Sequence, residues 1–135
     1  AGIPVCGHLG LTPQSVNQFG GYGVRAKGEA EAERLLNDAK MLEEVGCFAL
    51  VLEKIPAQLA ARVAREVSIP VIGIGAGSDV DGQIIVVQDM LGMNCGFKPK
   101  FLRVYADMFT AMSGAIGQYV SDVKDVTFPN ANEQY

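Results

Sequence analysis

Apolar runs of strand length recur along the chain, each followed by a helical stretch, and this β-then-α alternation permits few folds. Ile3 to Gly7 reads as a first strand, Phe48 to Glu53 as a second and Pro70 to Gly75 as a third. Between them, Glu29 to Val45 places Ala32, Leu35, Leu36, Ala39, Leu42 and Val45 on one stripe, carries acidic residues early and stops at Gly46, which predicts a helix. Pro56 to Val67 predicts another, with proline at its first turn and Leu59, Val63 and Val67 on one side. Helices of this kind cover a sheet. A fourth strand, Ile84 to Val87 or Gln88, arrives early: Gly77 to Gln83 is shorter than the dozen residues a parallel crossover usually takes, so spacing alone reads as a hairpin.

The segment from Gly10 to Gly28, with Gly20, Gly21 and Gly23, predicts a long loop, and long loops inside compact domains are usually functional. After a loop through Gly92 to Pro99, Phe101 to Val123 predicts a long amphipathic helix. Its stripe of Phe101, Tyr105, Met108, Phe109, Met112, Ile116, Tyr119, Val120 and Val123 reads as core. From Lys124 to Tyr135 the chain turns polar and reads as a loose tail, giving an organisation of residues 1–123 followed by a tail at 124–135.

Two titratable groups stand at strand ends. His8, the one histidine, lies where the run Ile3 to Cys6 gives way to glycine, and Glu53 closes the apolar run from Phe48. In parallel α/β proteins ligands bind at the carboxyl ends of strands, so both positions are candidate sites. Taken alone, a single histidine beside glycine and leucine is more often structural, and Glu53 could simply seal its strand by pairing with Lys54. A carboxylate at a strand end can be partly desolvated, which raises its basicity and suits it to general-base work at neutral pH.

Composition narrows the partners. With 135 residues, 49% of them hydrophobic, the chain has the size of one modest domain. A formal charge of -4 offers no basic surface, which argues against nucleic acid and anionic membranes; Lys98 and Lys100 read as a solvated pair. Cys6, Cys47 and Cys95 are widely spaced with no Cys-x-x-Cys, so zinc is not expected and a reducing cytoplasm fits best. The longest apolar run, Cys47 to Leu52, is far short of a membrane span, and the start Ala1-Gly2-Ile3-Pro4 carries no charged leader and no initiator methionine, which reads as a cytoplasmic chain beginning mid-protein.

Five segments in order carry a resemblance: Gly7-His8-Leu9-Gly10-Leu11-Thr12-Pro13-Gln14, Leu52-Glu53-Lys54-Ile55-Pro56, Ile69-Pro70-Val71-Ile72-Gly73-Ile74-Gly75-Ala76-Gly77, Asp81-Gly82-Gln83 and Asp89-Met90-Leu91-Gly92. From Gly2 to about Phe128 the chain resembles the carboxyl-terminal half of the ketopantoate hydroxymethyltransferase family, whose members are roughly twice this length and fold as (β/α)8 barrels. The resemblance implies a fragment: the C-terminal half of a TIM (β/α)8 barrel, four parallel strands with covering helices, the fourth reached through a minimal helical turn opened by Ser78-Asp79-Val80-Asp81 as a capping box.

By resemblance, Glu53 is the base that deprotonates C3 of 3-methyl-2-oxobutanoate, and His8 contacts the keto acid or its product. The co-substrate is 5,10-methylenetetrahydrofolate. Magnesium is held by acidic residues of the N-terminal half, which also supplies a serine and a lysine, so no metal ligand is expected in this chain, and by itself it should be inactive. The partners implied are the keto acid, the folate, the complementary N-terminal half-barrel and further copies in a large homo-oligomer. Gln88 departs from the histidine many members carry before the aspartate matching Asp89. Thr12, Gln14 and Asn17 read as shaping the loop above the site. Two other readings stay open: a phosphate-binding (β/α)8 lyase or isomerase using Gly73 to Gly77, and a non-catalytic half-barrel assembly module.

Overall fold

A computed structural model describes residues 2–96 and 98–135; Ala1 and Phe97, at the chain start and in the Gly92 to Pro99 loop, lie outside the described residues. The chain divides into two compact units, Ala1–Ile85 and Val86–Tyr135. In the first, strands β1 (Cys6–Gly10), β2 (Ala49–Glu53), β3 (Val71–Ile74) and β4 (Gly82–Gln83) form one parallel sheet in chain order. Helices α1 (Glu29–Glu44) and α2 (Ala57–Glu66) cover one of its faces. Four parallel strands with helices are the α/β arrangement expected of a half-barrel.

The helices form where their apolar residues repeat. α1 buries Leu35, Leu36 and Ala39, carries Glu29 and Glu31 in its first turn where the helix dipole favours anions, and is followed by Gly46 at φ 93°. α2 starts after Pro56 and buries Leu59, Ala60, Ala61 and Val63. Between them and the sheet lie Leu50, Leu52, Val63 and Val71, each fully buried. On the outer surface Arg62 of α2 pairs with Glu33 of α1 at 2.5 Å and with Glu66 at 2.8 Å, and Lys40 of α1 reaches Glu66 at 2.7 Å. Glu33, then Glu66, hold the Arg62 guanidinium above its ordinary range; Lys40, then Arg62, hold the Glu66 carboxyl below its own. These pairs are solvent-facing and contribute little to the stability of the unit.

Several expectations shift. The first strand is Cys6–Gly10 rather than Ile3 to Gly7: Ile3 and Val5 are exposed, and β1 continues through its glycines. A side chain at Gly7 would meet Leu50 Cδ2 at 2.6 Å and Leu42 Cδ1 at 2.9 Å, so this glycine admits helix α1 to the sheet instead of breaking the strand. Val45, expected on the buried stripe of α1, is exposed because it lies past the last helical turn.

The fourth strand is two residues at Gly82–Gln83, and Val87 and Gln88 belong instead to a short helix α3 (Val87–Met90). The β3 to β4 link is parallel without any helical turn, so the Ser78 capping box does not form. Asp81 does the work of a crossover helix: its N–H donates to the Val71 carbonyl at 2.9 Å and its carboxylate accepts the Val71 N–H at 2.8 Å, clipping the link onto the start of β3.

In the second unit, helix α4 (Met108–Lys124) starts seven residues later than expected, capped by Asp107, whose carboxylate accepts the Thr110 N–H at 3.1 Å. Thr110 holds the Asp107 carboxyl below its ordinary range. The chain before it is bound to α3's end instead: Tyr105 N–H donates to Met90 O at 2.8 Å and Met108 N–H to Leu91 O at 3.1 Å. None of α4's residues is buried, so its apolar stripe is not core as expected; among the described residues this unit contains no strand to cover it. Beyond α4, Phe128 packs edge-on against Tyr119 at 5.5 Å, and the Thr127 and Phe128 N–H groups both donate to Asp122 O, which turns the terminal segment back onto its helix.

The close approach of β1 and β2 gives a direct test. Gly10 sits at φ 90°, and a Cβ there would collide with the Glu53 carbonyl and lie 2.8 Å from Ile55 Cγ2. Gly10→Ala is expected to destabilise the unit by about 1–3 kcal/mol in urea unfolding, whereas Val45→Ala, on an exposed side chain, is expected to change stability by less than about 0.5 kcal/mol. Leu52→Ala, which empties a fully buried position, is expected to cost about 2–5 kcal/mol by the same measurement.

Candidate functional site

Parallel pairing sets Cys6 beside Ala49, His8 beside Val51 and Gly10 beside Glu53, so these side chains share the face of the sheet that the helices do not cover. Ile72 and Ile74 continue that face onto β3. It is apolar apart from His8 and Glu53. His8 stands in the middle of β1, not past its end as the sequence suggested, and Glu53 is the last residue of β2. The register offsets them by two residues along the strands, and the side chains bridge that offset. His8 Nε2 lies 3.1 Å from Glu53 Oε2.

The two side chains are 32% and 18% exposed, sheltered yet open to a small molecule. With Glu53 ionised, the neutral imidazole donates its Nε2 hydrogen to Oε2, which fixes the tautomer and aims the carboxylate. The second carboxylate oxygen, Oε1, makes no hydrogen bond to a described residue. The competing reading of Glu53 as the ion-pair partner of Lys54 does not hold, because the Lys54 ammonium donates to the Tyr22 carbonyl and Glu53 pairs with His8.

A cavity of about 620 Å3 adjoins His8. It is walled by Gly10 and Thr12 at the end of β1, by Gln18, Phe19 and Arg25 from the 12–28 loop, and by the first turns of α1. Glu53 does not line it and meets it only through His8. Of the loop residues singled out from the sequence, Thr12 lines the cavity while Gln14 and Asn17 do not. Phe19 and Arg25 escaped the sequence reading; the Arg25 guanidinium stacks over the Phe19 ring at 4.1 Å and pairs with Glu31, contacts six residues apart that no periodicity announces.

The described residues gather no three histidine, cysteine, aspartate or glutamate side chains that could hold a metal ion. At the sheet face His8 and Glu53 converge but are bound to each other, so the magnesium implied by the resemblance does not fit the described donors of this chain by themselves. Gly73 and Gly77 answer to packing: a Cβ at Gly77 would strike Ala57, and one at Gly73 would lie 3.1 Å from Val80 Cγ2. No described helix is long and apolar enough to cross a membrane.

Comparison with known proteins gives this geometry its context. The family model described as ketopantoate hydroxymethyltransferase matches residues 1–131. The chain is 70% identical over all its 135 residues to the 3-methyl-2-oxobutanoate hydroxymethyltransferase of Bacteroides fragilis, 67% to that of Bacteroides thetaiotaomicron and 66% to that of Flavobacterium johnsoniae. In each case it spans 50% of the relative's length. A match over nearly the whole chain, at these identities, makes it a member of the ketopantoate hydroxymethyltransferase family, a family of transferase enzymes.

Proposed function

We propose that residues 1–123 form the C-terminal half of a (β/α)8 barrel, with 124–135 as its polar tail, and that the completed barrel is a 3-methyl-2-oxobutanoate hydroxymethyltransferase. It transfers a hydroxymethyl group from 5,10-methylenetetrahydrofolate to 3-methyl-2-oxobutanoate, giving 2-dehydropantoate for pantothenate biosynthesis in the cytoplasm. The observation that carries this reading is the 3.1 Å contact of His8 with Glu53 on the inner face of the sheet.

In this mechanism Glu53 is the base. Its Oε1 takes the C3 proton of the keto acid, and the electron pair of that C–H bond moves toward the ketone to form the enolate. C3 bonds to the one-carbon unit as one of that unit's two bonds to folate nitrogen breaks, and water supplies the hydroxyl oxygen as the other breaks; the proton taken by Glu53 and one from the water end on the two nitrogens. His8 keeps Oε2 occupied so that Oε1 faces the substrate, and its ring, which lines the adjoining cavity, holds the keto acid at that cavity's mouth. Magnesium ligands and further substrate contacts belong to the complementary N-terminal half, and the completed barrels associate as a large homo-oligomer. The 135 residues alone are inactive.

Two substitutions in the complete barrel test the assignments. Glu53→Gln is expected to slow exchange of the C3 proton, followed by NMR in deuterated water, by about two to four decades while keto-acid binding persists; near-normal exchange would remove Glu53 from the role of base. His8→Ala is expected to weaken keto-acid binding by about 1–3 kcal/mol in calorimetry, since a polar partner is left unpaired. An unchanged dissociation constant with the fold intact would make His8 structural.

A further inference from the structure

The residue after Glu53 holds a backbone conformation that side chains seldom adopt. Lys54 has φ 50°, in the left-handed region where a Cβ crowds its own carbonyl. Its own groups hold it there from two sides. The Lys54 N–H donates to Ile74 O of β3 at 2.9 Å, its carbonyl accepts the Arg25 N–H at 2.9 Å, and its ammonium donates to the Tyr22 carbonyl. One peptide earlier, the Glu53 carbonyl accepts the Leu11 N–H at 2.9 Å.

The peptide group joining Glu53 to Lys54 is therefore gripped by β1's extension and by β3, and the 12–28 loop grips the next peptide through the Lys54 carbonyl. The loop residue that grips it, Arg25, also stacks on Phe19, and both side chains wall the cavity beside His8. A glycine at position 54 would take the same backbone without strain but would have no amine to reach Tyr22. Strain persists at a loop junction only where the surroundings over-determine it, and one of the residues that does so here, Arg25, is part of the cavity's wall.

We infer that Lys54 is a positioning residue that latches the Tyr22–Arg25 segment to the peptide beside Glu53, so that the cavity wall is ordered when a small 2-oxo acid binds. The latch touches no reacting atom; it acts through Arg25 and Phe19, and as an account of keto-acid binding it rests on the His8 and Glu53 assignments above. Its loss should loosen the wall and weaken binding, and should change the chemical step little once the site is filled.

The test uses the complete barrel with Lys54→Met, which keeps the stem and removes the donor, Lys54→Arg, which keeps a cationic donor, and Lys54→Gly, which removes both donor and strain. Amide hydrogen exchange of residues 20–27 is read beside the dissociation constant for 3-methyl-2-oxobutanoate and the saturated rate of C3 proton exchange. In Lys54→Met and Lys54→Gly, exchange in this segment should quicken about tenfold. In the same two variants the dissociation constant should rise about five- to tenfold with the saturated rate within about threefold of the parent, while Lys54→Arg should restore both. Unchanged protection in Lys54→Met, faster exchange with unaltered binding, or an Arg variant as impaired as Met would each overturn the latch. If instead Glu53→Gln keeps its proton exchange while Lys54→Met loosens the segment and weakens binding, the latch stands and the base assignment falls.

Discussion

The site depends on one register. Pairing of β1 with β2 sets Gly10 opposite Glu53 and His8 opposite Val51, and side chains in a strand alternate between faces. A one-residue slip of β1 would turn His8 toward the helices and Leu9 toward the open face, and the same slip of β2 would do so to Glu53 and Leu52. What prevents the slip is burial: Leu50 and Leu52, both fully buried against α1 and α2, must face the helices. The apolar core therefore fixes the polar site on the opposite side of the same strands.

That opposite face accounts for the half-barrel reading. Val51 and Ile72 are only partly buried and Cys6 is exposed, although all lie on the central surface of a parallel sheet, a kind of sheet ordinarily covered on both faces. Among the described residues the outer edges of β1 and β4 also lack a strand neighbour. An apolar face and two open edges are what four further barrel strands would cover, in keeping with relatives twice the length of this chain.

The sequence announced the elements with long periodic signals and misplaced those decided by contact. α1, α2 and the second and third strands were legible because burial imposes period on sequence, and the ends of α1 and α2 are marked by Gly46 and Pro56. β1 was displaced because Gly7 and Gly10 look like breakers in one dimension; only against Leu42, Leu50 and the Glu53 carbonyl does their missing side chain become a packing requirement. The short β4 was obscured because Asp81, clipped to Val71, replaces the expected helical turn. At the site, Glu53 and His8 stood out by residue type and place, whereas Lys54, Phe19 and Arg25 owe their relevance to loop contacts without a sequence period.

The division of labour between the two barrel halves is the central claim, and C3 proton exchange of 3-methyl-2-oxobutanoate measures it without requiring the folate step. The 135-residue chain, a separately prepared N-terminal half, and the two combined should be compared by NMR in deuterated water. Exchange above the buffer rate is expected in the combined sample alone. Exchange by the 135 residues without their complement would contradict the account.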